Sequence, residues 1–99
     1  MQSSYAPQFV REMGCTQAEW LRWLPQAIGV PDWQLRGASA RVQLEGGALE
    51  LNWSEQVPLR IALLRMPRFQ VQFAFDGLDA AQRLRFMRRF DLYMQRGGG

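Results

Sequence analysis

Apolar residues recur along this chain at two different periods, and the change from one to the other divides it. From Asp79 to Arg96 the period is helical. Ala80, Leu84, Phe86, Met87, Phe90, Tyr93 and Met94 fall on one broad arc, and Arg85, Arg88, Arg89 and Arg96 gather opposite, around Leu92. Asp79 followed by Gln82 fits a capping box, and Gly97 supplies the stop. Near the other end, Pro7 to Met13 reads as a short helix closed by Gly14. Thr16 opens a second helix through T-Q-A-E, which buries Trp20, Trp23, Leu24, Ala27 and Ile28. Pro25 should kink or divide that helix.

Between these helices the period is two. Residues 29–39 read as a loop holding Trp33, a lid on the core or an exposed anchor for a partner. Val42 and Leu44 then alternate with polar residues, and Gly46-Gly47 signals a hairpin. The return strand carries Leu49, Leu51 and Trp53 inward. S-E-Q-V-P predicts a second turn. A third strand has Leu59, Ile61 and Leu63 inward, with Arg60, Ala62 and Leu64 outward. M-P-R predicts a third turn, and a fourth strand places Phe69, Val71, Phe73 and Phe75 inward. The expected order is ααββββα, an α+β fold with a four-stranded antiparallel meander and its helices on one face. Residues 1–99 make one domain, with 1–6 and 97–99 expected to be disordered.

Composition narrows the function classes more than it selects one. All twelve cations are Arg, and the last 43 residues carry +5 against −2 for the first 56. No acid lies between Glu55 and Asp76. An anion-binding side, if the protein has one, belongs to the C-terminal half. The chain has no His, which removes the commonest general base, the usual triads and most zinc sites. The single Cys15 precedes the Thr16 cap, where a helix N-terminus favours a thiolate, but a small buried residue is the simpler reading. No phosphate-cradling glycine motif is present, so no cofactor or metal is expected.

The ending FMRRFDLYMQRGGG resembles that of a group of short β-proteobacterial proteins, over residues 60–99. The resemblance implies a bacterial cytoplasmic protein and carries no activity. The lone cysteine also fits a reducing cytoplasm.

The expected function is a small non-enzymatic interaction module that binds another protein or a second copy of itself. The outward sheet face, which also carries Arg60, buries Leu64 and Ala62, with Trp33 as a further anchor, and Arg60, Arg85, Arg88 and Arg89 pair with acidic groups at the rim. The alternative is nucleic-acid binding through Arg85, Arg88, Arg89 and Arg96. A third reading is a carrier of an apolar small molecule between sheet and helices. No membrane partner is expected.

Overall fold

In the computed structural model, residues 3–96 are described, Arg96 by its backbone alone; the rest of both ends, with the disorder expected there, lies outside the described residues. The chain is an α+β domain in which two helices lie on one face of a five-stranded antiparallel sheet. Strands β1 (Gln8–Met13), β2 (Trp33–Arg36), β3 (Ser39–Leu44), β4 (Gly47–Ile61) and β5 (Leu64–Asp76) are joined in the order β1-β5-β4-β3-β2. Helix α1 (Gln17–Ile28) connects β1 to β2, and α2 (Ala80–Arg96) closes the chain.

Both helices begin as their sequences dictate. The Thr16 side chain accepts from the Glu19 amide while Glu19 reaches back to the Thr16 amide, and Asp79 and Gln82 form the same reciprocal pair. Helix α1 runs through Pro25 without dividing and stops at Gly29, whose φ of 73° is left-handed. The core fills the space between layers. Trp20, Leu24 and Ile28 of α1 and Met87 and Phe90 of α2 meet Leu49, Leu51, Phe69, Val71 and Phe73 of the sheet, all essentially inaccessible. Each such side chain contributes about 1.5–3 kcal/mol of transfer free energy.

Three expectations are corrected. Residues 8–13 form an edge strand against β5, not a helix. Phe9 and Met13 face inward at the spacing a strand also satisfies, and Phe9 stacks on Phe73 at 4.6 Å. Trp33 lies in strand β2, paired with Val42, instead of in a loop, and it rests half-buried against the core edge. The third correction is the largest. S-E-Q-V-P and M-P-R are not turns, because β4 and β5 run straight through them as one long hairpin. Its turn is Ala62-Leu63, in the middle of the expected third strand.

The prolines explain how this is possible. Gln56 pairs with Arg68 and Leu59 with Met66, so Val57 and Pro58 together oppose the single residue Pro67. That is a β-bulge, one of the few places in a ladder where proline's missing donor does little harm. Tyr5, within the segment read as frayed, is buried.

Candidate interaction surface

Strand β4 pairs with β3 only over Gly47–Asn52, and β1 reaches β5 only over Phe69–Ala74. Beyond those limits β4 and β5 pair only with each other. The segment from Gln56 to Arg68 therefore projects as a two-stranded arm, and the molecule measures 47 Å along its long axis against 29 and 22 Å across. Its tip turns at Ala62, the one described non-glycine residue with positive φ, 53°. For an L-residue this conformation costs roughly 1–2 kcal/mol. At the root, Arg68 donates to Glu12 of β1 at 2.6 Å and holds that carboxyl below its usual range.

The bulge decides which side chains share a face. Strand β5 alternates without interruption, so Leu64 and Met66 lie on the same side as Gln70 and Gln72, away from the helices. Their cross-strand partners Ile61 and Leu59 lie there too. Strict alternation along β4 would have sent Leu59 and Ile61 inward; the extra residue reverses them and brings all four apolar side chains to one face. Arg60 is reversed as well. It pairs with Arg65 on the helix side, two like charges opposite each other with no acidic partner among the described residues. The expected outward trio of Arg60, Ala62 and Leu64 is thus not one surface: Leu64 is on the outer face, Arg60 on the inner, and Ala62 in the turn.

Leu59, Ile61, Leu64 and Met66 are between 46% and 67% exposed, and Leu63 at the tip is fully exposed. The alternation of the sequence put Leu64 outward but gave no reason to join Leu59, Ile61 and Met66 to it, because the bulge that assembles the patch was hidden by two proline signals. Below the arm the outer sheet face is mainly polar, with Asn52, Ser54, Gln70 and Gln72 and an Arg41–Glu50 ion pair at 2.9 Å, and with Val10 exposed beside Gln72.

The arginine side of α2 divides. Arg85 and Arg88 are exposed. Arg89 lies across Gly29, donates to the Gln26 carbonyl and sits 4.5 Å above the Tyr93 ring, so it ties α2 to the end of α1. Arg83 donates to the Tyr5 and Leu78 carbonyls at 2.8 Å. Arg96 extends the helix, but its side chain lies outside the described residues.

Sequence reasoning also missed a polar cluster. Arg11 points to the helix side of β1, beneath α2, where it forms an ion pair with Asp91 and lies 5.5 Å from the Phe73 ring centroid. The Tyr5 hydroxyl donates to the other Asp91 oxygen at 2.6 Å. Burial and that bond raise the Tyr5 pKa. No residue spacing marks this cluster, since its members come from three distant segments. Cys15 is buried, and its thiol is pushed up to about 11 by burial and by Glu19 and Glu55. A neutral thiol is a poor nucleophile and a poor metal ligand.

Between helices and sheet, Trp20, Phe69, Phe73 and Phe90 are buried, with Trp20 packed on Phe69 and Phe90, and Phe73 edge-on to Phe90. The surface clefts are lined by polar as well as apolar groups; one of about 330 Å³ under the arm root includes Thr16, Glu55, Arg65 and Arg68. No described helix is long and apolar enough to cross a membrane. No protein-family model matches the chain, and no curated protein matches it in sequence.

Proposed function

We propose that this protein is a non-enzymatic docking module whose working element is the outer face of the β4–β5 arm. The observation that carries the reading is the placing of four large apolar side chains on one exposed face of a ribbon that adds nothing to the core. A two-stranded ribbon is only marginally stable alone, and leaving this much apolar surface in water is unfavourable. Covering it by another protein surface removes both costs. Asp91, Glu12 and Glu50 are engaged in ion pairs, and Cys15 is buried.

A photo-crosslinking residue placed at Leu64 in the full chain, in the cell that makes it, tests the reading. An adduct of one defined mass is expected from position 64, weakened when Ile61→Arg is added and absent from position 72. Equal labelling from positions 64 and 72, or none from either, sinks it.

A further inference from the structure

The arm's apolar face is self-complementary. Resting on the docking reading above, we infer that the occupant is a second copy of this chain, with two arms stacked face to face and antiparallel.

The face consists of two layers, Ile61 with Leu64 and Leu59 with Met66, two residues apart along the ribbon. A two-fold axis between the layers sets the Ile61–Leu64 pair of one copy over the Leu59–Met66 pair of the other, and the reverse, as an isologous contact requires. The two apolar layers carry no charge; the next outward side chain, Arg68, stands at the arm root and is already paired with Glu12. Arg60 and Arg65 stay on the far sides of both ribbons, so stacking opposes no like charges and leaves the guanidinium groups in water. The antiparallel arrangement also confines the contact to the arms. A parallel one would bring together the polar sheet faces carrying Gln70, Gln72 and the Arg41–Glu50 pair. The arm's length beyond the body leaves room for the second copy.

Each covered side chain hides on the order of 100 Å². Leu59, Ile61, Leu64 and Met66 thus hide roughly 800 Å² over the two copies, below the usual range of stable interfaces and in keeping with a transient one. A contact of this size suits a reversible dimer that forms as concentration rises.

Sedimentation of the purified full-length chain from about 1 µM to about 1 mM tests this. The expected result is a shift from single to double mass, lost in Ile61→Arg with the circular dichroism and Tm of the wild type retained. A second readout needs no variant: amide shifts of the wild type change with concentration in residues 57–66 and not in 48–52. A wild-type chain that remains single at 1 mM overturns the inference, as does a dimer that forms without shifts in the arm. The failures are distinguishable. If the chain stays single while the position-64 crosslink yields a defined adduct of another mass, docking stands and the occupant is a different protein. If it stays single, gives no adduct and sediments with anionic vesicles, the arm meets a lipid surface and both readings fall.

Discussion

Asp91 is the residue whose loss the fold should feel most among the polar ones. It accepts from Tyr5 and from Arg11, and so joins the N-terminal segment and the edge strand to α2. Asp91→Ala leaves a partly buried guanidinium and a hydroxyl without their acceptor. A cost of about 1–2 kcal/mol follows, a fall of roughly 5–10 °C in Tm for a domain of this size. Asp91→Asn, which keeps one acceptor, should lose less; differential scanning calorimetry separates the two. Cys15 makes a prediction about pH. Its thiol holds its proton to about 11 in the fold, against 9.0 when free, so the unfolded chain releases a proton that the folded one keeps. Its contribution is complete below pH 9 and falls away as the pH rises toward 11. Cys15→Ala should flatten that part of the Tm profile, and iodoacetamide should label the wild-type folded chain only slowly at pH 8.

At the scale of elements, the hairpins depend on close backbone contact at one place. A Cβ on Gly47 would lie 2.0 Å from the Asp76 carbonyl oxygen, which belongs to the neighbouring strand and cannot turn aside. Gly47→Ala should therefore destabilise the domain by about 1–3 kcal/mol, whereas Gly14→Ala, with nothing within 4 Å, should stay within about 0.5 kcal/mol. Denaturant melts of the two variants check this contrast. Helices α1 and α2 were legible in the sequence, N-caps included, because T-Q-A-E and D-A-A-Q act locally and their apolar arcs are long; the Gly97 stop lies outside the described residues. The fourth expected strand was also legible, since Phe69, Val71, Phe73 and Phe75 alternate without a break. Residues 8–13 were not, because Phe9 and Met13 sit four apart and suit either period. Strand β2 was hidden by its brevity, four residues at a sheet edge. The arm was misread for a different reason. Pro58 and Pro67 are strong turn signals taken singly, and only their meeting across the ladder makes them a bulge. That meeting is a long-range fact that neither segment contains.

For the whole molecule, the arm and the body should behave as separate parts. The body's core lies between the helices and residues 48–53 and 69–75, while the arm contributes no buried side chain. In dilute solution, amides of residues 57–66 should exchange orders of magnitude faster than those of 69–75. Ile61→Ser combined with Leu64→Ser should leave Tm within a few degrees of the wild type, because nothing in the core touches them. Hydrogen exchange and thermal melts on the same samples test both statements. A body that softened with these variants would mean that the arm is a structural strut.

The facing prolines bear on the proposed dimer. Both margins of the arm carry main-chain groups with no strand beside them, and such margins invite further strands without limit, each addition exposing a new one. Pro58 and Pro67 interrupt that row on both margins at once, and leave the flat side for the contact proposed above. Contact through a flat side under a two-fold axis stops at two, whereas growth along a margin never closes. Replacing both prolines with valine should turn a protein of defined size into one that makes fibres, visible as thioflavin-positive material that the wild type does not form. On this view the residues that most disguise the arm in the sequence are the ones that keep it finite.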